Sequence, residues 1–86
     1  MEGHFTHVLM TKDQGFLHFS FDCIISPHKK KYHVTVLKRG GENFHFLMEQ
    51  KNGRWKIIEA PQPPRWVKGM EHQIEEMICE HQNLNE

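Results

Sequence analysis

Apolar and polar residues alternate with a period of two along most of the first 60 positions, the pattern of half-buried strands. Five runs predict strands at about 4–11, 16–25, 31–38, 43–50 and 54–60. The second alternates most strongly. Leu17, Phe19, Phe21, Cys23 and Ile25 take one side, and Phe16, His18, Ser20, Asp22 and Ile24 the other. Lys12-Asp13-Gln14-Gly15 is turn chemistry, with a glycine available for positive φ. Ser26-Pro27 stops the second strand, because proline cannot donate to a ladder. Arg39-Gly40-Gly41-Glu42 reads as a loop.

The stretch from Phe44 to Glu59 carries the strongest local signal, two strands joined by Asn52-Gly53. Asn-Gly supplies the two positive-φ residues of a type I′ turn, and a two-residue loop fixes the register. Lys51 then faces Arg54, Glu49 faces Lys56, Met48 faces Ile57 and Leu47 faces Ile58. Beyond Pro61-Gln62-Pro63-Pro64 the period becomes helical: Trp66, Val67, Met70, Ile74, Met77, Ile78 and His81 form one stripe. A helix is expected over about 63–82, starting near Pro63 or Pro64, with Asn83 to Glu86 frayed. Its charges oppose the macrodipole, and Glu71/Glu75 and Glu76/Glu80 are like-charge pairs. Such a helix must be held by packing.

These elements predict one α+β domain spanning residues 1–86: a five-stranded antiparallel meander in a curved sheet, with one C-terminal helix on its concave face. Val8, Met10, Leu17, Phe19, Phe21, Val34, Val36, Phe46, Met48, Trp55 and Ile57 are assigned to the helix side. The reverse side collects Phe5, His7, Leu9, Phe16, His18, Asp22, Ile24, His33, Leu37, His45, Leu47 and Ile58. No second helix remains to cover it. It is too apolar for a fully wetted surface and too polar for a core, a mixture that suits an interface between chains.

Composition narrows the function classes. Eleven basic and 11 acidic residues cancel, so net charge singles out neither nucleic acid nor a membrane. The charge is unevenly placed: no Lys or Arg follows Gly69, while Glu71, Glu75, Glu76, Glu80 and Glu86 accumulate there. No membrane span or signal peptide is visible, which makes the cytoplasm the default compartment. Cys23 and Cys79 both fall on apolar stripes and are expected as buried free thiols.

Eight histidines raise the question of a metal. His7, His18, His33 and His45 are assigned to the reverse side, with His33 beside Glu49 and Ile24 and His45 beside Leu37. On that grid the imidazoles are dispersed, so no metal site and no cofactor is expected. A pH-sensitive surface is favoured instead, since protonated imidazoles repel one another across a self-associating face. An enzyme is not favoured. Cys23 with His33, or Cys79 with a sheet histidine, lacks an orienting third group, and no phosphate-binding or nucleophile-elbow motif occurs. A pocket at the open end of the meander would be lined by Trp55, Trp66 and Tyr32.

The reading is a small intracellular protein-interaction module, a homodimer through the reverse side of the sheet or one edge. Phe5, Leu37, Leu47, Ile58, His33 and His45 are the expected interface. The alternative is a nucleic-acid binder using Lys29, Lys30, Lys31, Lys38, Arg39 and Arg54.

Overall fold

A computed structural model describes residues 3–25, 30–58 and 63–84. Five strands, β1 (His4–Thr11), β2 (Gly15–Ile25), β3 (Lys30–Lys38), β4 (Asn43–Lys51) and β5 (Arg54–Ile58), form one antiparallel sheet in the order β1-β2-β3-β4-β5. A short helix α1 (Arg65–Lys68) and a longer helix α2 (Glu71–Leu84) follow. The α+β meander with a C-terminal helix is therefore the observed architecture. The expected stop at Ser26-Pro27, the end of the last strand at 59 and 60, and the fraying of residues 85 and 86 lie outside the described residues, whereas Asn83 and Leu84, also expected to fray, close α2 as helix.

The helix stripe and one side of the sheet make a single core. Leu17, Phe19, Phe21, Val34, Val36, Phe46, Met48 and Trp55 from the strands meet Val67, Ile74, Met77 and Ile78 from the helices. Rings dominate it: Phe21 stacks on Phe5 at 4.4 Å, and Tyr32 leans on Trp55 at 5.3 Å. The β4–β5 hairpin pairs as its Asn-Gly loop requires, with Asn52 at φ 52 and Gly53 at φ 80, and all four expected cross-strand pairs form.

Three features depart from the sequence expectation. The first turn holds three residues, not four. Thr11 pairs with Gly15, whose φ of 73 closes the loop, and the Thr11 hydroxyl accepts from the Gln14 N–H at 2.9 Å. That single residue inverts the side-chain phase of β1. Phe5, His7 and Leu9 therefore face the helix, opposite Phe21, Phe19 and Leu17, and Val8 and Met10 face away.

The second departure is a two-residue shift in register. Gly40 and Gly41, at φ 109 and 107, let Lys38 and Glu42 meet across a tight loop. Across that loop His33 pairs with Leu47, not Glu49, and His45 with Thr35, not Leu37; across the β2–β3 ladder, whose connection lies outside the described residues, His33 pairs with Asp22, not Ile24. Third, the helix is interrupted. Gly69, a poor helix former, caps α1, and the Met70 N–H bonds to Val67, three residues back, at 2.9 Å.

The Glu71/Glu75 repulsion that the sequence suggests is resolved at the edge of the sheet. A two-residue hairpin loop makes Lys51/Arg54 and Glu49/Lys56 the hydrogen-bonded pairs, so the N–H groups of Trp55 and Ile57 point outward. Glu75 accepts from the Trp55 N–H at 2.9 Å, and Glu71 accepts from the Ile57 N–H at 2.8 Å. Arg54 closes the arrangement by donating to both oxygens of Glu75, Nε at 3.1 Å and Nη2 at 3.2 Å. Helix carboxylates thus replace the strand that β5 lacks. The Arg54 guanidinium, and then the Trp55 N–H, hold the Glu75 carboxyl below its ordinary range.

Candidate functional site

The side of the sheet away from the helix is legible as rows of cross-strand partners. One row runs His4, Asp22, His33, Leu47, Ile58; the next Thr6, Ser20, Thr35, His45; the next Val8, His18, Leu37, Asn43; and Met10 faces Phe16 at the end. A fifth row holds Ile24, Lys31, Glu49 and Lys56. Among the described residues, five large hydrophobic side chains are exposed: Val8 (53%), Met10 (65%), Phe16 (47%), Ile24 (41%) and Leu37 (42%). All five stand on this side. Four of them, Val8, Met10, Phe16 and Leu37, gather at the β1–β2 turn end around His18, where a shallow concavity of about 290 Å³ opens.

The polar residues here make their own pairings. His4 Nδ1 lies 2.7 Å from Asp22 Oδ1, and the rings of His33 and His45 stand 5.5 Å apart. Glu49 is buried between Lys31 and Lys51, each at 3.8 Å. Among the described residues no group of three His, Cys, Asp or Glu side chains is placed to hold a metal ion.

The expected interface residues separate into two sets. Leu37, Leu47, Ile58, His33 and His45 do share the uncovered side, with Leu47 opposite Ile58 and half-buried there. Phe5 does not. It belongs to the helix side, sandwiched between Phe21 at 4.4 Å and His81 at 3.8 Å, because of the β1 phase inversion. His7 and Leu9 move with it. Conversely, Val8 and Met10, expected on the helix side, are exposed on the uncovered one. Only the length of the first turn in the sequence would have revealed them.

The basic residues of the nucleic-acid reading are not brought together. Lys29 lies outside the described residues. Lys30 and Arg39 are exposed at opposite ends of β3. Lys31 pairs with Glu49, Lys38 pairs with Glu42 at 3.7 Å and lies over the Trp66 ring, and Arg54 is held by Glu75. Cys23 and His33 fall on opposite sides of the sheet, opposite Tyr32 and Asp22 respectively, so they cannot act as nucleophile and base. Cys79 is exposed and Cys23 is half-buried; neither is the fully buried thiol expected. Trp55 and Tyr32 are buried against each other in the core, and Trp66 packs edge-on to Phe44 at 5.6 Å, so the three do not line one pocket.

The chain matches no protein-family model, no curated protein and no solved structure. Among the described residues no helix is long and apolar enough to cross a membrane.

Proposed function

We propose that this protein is a small interaction module that self-associates as a homodimer through the uncovered side of its sheet. One observation carries the reading: every large hydrophobic side chain exposed among the described residues lies on that side. The helices occupy the other side, so nothing within the described fold shields Val8, Met10, Phe16 and Leu37. A second copy turned about a two-fold axis brings the same patch against itself, the common solution for soluble oligomers. The histidines around the patch make the association sensitive to acid. Protonated imidazoles put like charge on both sides of a self-facing contact. We place the protein in the cytoplasm, where Cys23 and Cys79 stay reduced.

Sedimentation equilibrium tests this reading. The wild type is expected as a dimer at micromolar concentration and pH 8, with the dimer fraction falling at pH 5.5. Phe16→Asp combined with Leu37→Asp is expected to give a folded monomer, because both side chains are already exposed and carry no core contact to lose. Asn83→Asp, on the exposed end of α2, leaves the dimer intact. A monomeric wild type, or a dimer indifferent to the double substitution, removes the proposal.

A further inference from the structure

The two edges of the sheet are finished differently. At β5 the outward N–H groups are taken by Glu71 and Glu75. At β1 they are not. The Cys23 N–H bonds to the Gly3 carbonyl, which sets the hydrogen-bonded pairs of this ladder at Gly3, Phe5, His7 and Leu9. The N–H and C=O groups of His4, Thr6, Val8 and Met10 therefore point away from β2, and no hydrogen bond among the described residues reaches them. An edge of eight residues in this state is a template for one more strand.

A groove runs beside this edge, between β1 and α2. The two elements are antiparallel there: Met70 and Gln73 lie near the Leu9–Gln14 end, and His81 stacks on Phe5 at the other. The groove widens to a cavity of about 310 Å³ against Leu9, Trp66, Met70 and Gln73. It narrows to about 140 Å³ where His7 and Met77 form the floor and Glu76 and Glu80 the wall. One end is thus apolar and aromatic, and the middle is acidic.

We propose that this groove binds an extended peptide, which pairs with β1 as a sixth strand and presents apolar and basic side chains to α2. Strand addition of this kind draws its affinity from main-chain bonds and its specificity from alternate side chains. From the cavity to the midpoint of the two carboxylates is about 10 Å along the helix at 1.5 Å per residue. Same-side residues of a strand repeat at about 6.8 Å. The peptide therefore carries one apolar residue for the Trp66/Met70 cavity and basic residues two and four positions away for Glu76 and Glu80. Charge decides between this occupant and a second copy of the chain. A second β1 paired across a two-fold axis would bring its own Glu76 and Glu80 to face the same groove, whereas a basic peptide meets them with opposite charge. The other charged or titratable groups near the groove are His7 on its floor, His72 with its Nε2 3.5 Å from Glu76, His81 against Phe5, and Lys12 and Asp13 at the β1–β2 turn. This surface is separate from the uncovered side of the sheet and does not depend on the dimer.

A phage-displayed library of random dodecapeptides selected on the immobilised protein is the test, followed by fluorescence anisotropy of the selected peptides. Enrichment of an apolar residue with Lys or Arg two and four positions away is expected. Methylating the alternate peptide amides that face β1 is expected to weaken binding at least tenfold. Thr6→Pro, which removes an outward N–H and leaves the β1–β2 ladder intact, has the same effect, and Glu76→Lys with Glu80→Lys weakens binding at least fivefold. Phe16→Asp with Leu37→Asp leaves peptide affinity unchanged, which separates this site from the dimer face. The proposal is overturned if no peptide is enriched over the unselected library. It is equally overturned if enriched peptides bind without the basic pattern, if they tolerate amide methylation, or if Thr6→Pro dissolves a wild-type dimer and so shows that a second copy occupies the edge.

Discussion

Truncating Phe21 to alanine is expected to cost about 3–5 kcal/mol, the range for removing a buried aromatic ring from a core. Phe21 has no exposed surface, stacks on Phe5 with the planes 3° apart, and lies 6.2 Å from both Phe19 and Tyr32. The void would open in the middle of the sheet, where β1 and β3 both lean on this ring through their pairing with β2. A domain of this length holds only about 4–13 kcal/mol in total, so the variant keeps a fraction of its stability. Urea titration followed by far-ultraviolet circular dichroism measures it. A loss under 1 kcal/mol would mean that the ring cluster is not the core.

The second large effect belongs to the β5 edge. Glu75→Ala is expected to lose about 2 kcal/mol through the orphaned Trp55 N–H alone, the scale of a hydrogen bond to a charged group. The melting temperature then falls by about 8–16 °C for a domain of this size. The Arg54 side chain is 59% exposed and adds less, since solvent screens it. Acid titration gives an independent signature. The folded-state carboxyl sits below its ordinary value of 4.5, so its contribution is fully present above that pH and is lost as pH falls through the lower, folded value. Glu75→Gln keeps an oxygen for the Trp55 N–H but does not titrate. Its stability curve is expected to be flatter than the wild type across the acid limb below pH 4.5. Parallel acid limbs in the two proteins would show that Glu75 does not hold the edge.

The parts of the fold read correctly from the sequence are those set by local chemistry. Asn52-Gly53 admits one turn type, and the β4–β5 register follows from it without reference to the rest of the chain. The alternation in β2 and β3 locates both strands and their buried residues. The pattern is silent where a loop sets the register. Counting Gly15 as turn rather than strand reversed β1, moving Phe5 into the core and Val8 and Met10 to the surface. Centring the β3–β4 loop on Gly41 instead of Gly40 displaces the partners of His33 and His45 on the neighbouring strand by two positions, which keeps them on the same side but changes their neighbours. Period-two patterns are unchanged by such shifts, so nothing in the alternation itself warns of them.

The candidate site was legible in outline for the same reason. That one helix cannot cover both sides of a five-stranded sheet follows from counting elements. Leu37, Leu47, Ile58, His33 and His45 were correctly assigned to the uncovered side. The centre of its apolar patch is not legible in the alternation, because the side taken by Val8 and Met10 depends on the length of the first turn. The roles of Glu71 and Glu75 were also invisible. On a helical wheel they are a repelling pair, and only the outward N–H groups of Trp55 and Ile57 give them purpose. A two-residue hairpin loop followed by a short final strand does imply those outward groups, so the signal was present once the edge was considered.

The claim on which the functional reading rests is that the side of the sheet opposite the helices meets a second chain. An isotope-filtered NOE spectrum of a one-to-one mixture of carbon-13-labelled and unlabelled protein addresses it residue by residue. Intermolecular cross-peaks are predicted from the methyl groups of Val8, Met10 and Leu37 and to the ring of Phe16. Their absence in a sample that sediments as a dimer, or cross-peaks arising from α2 instead, would contradict the account.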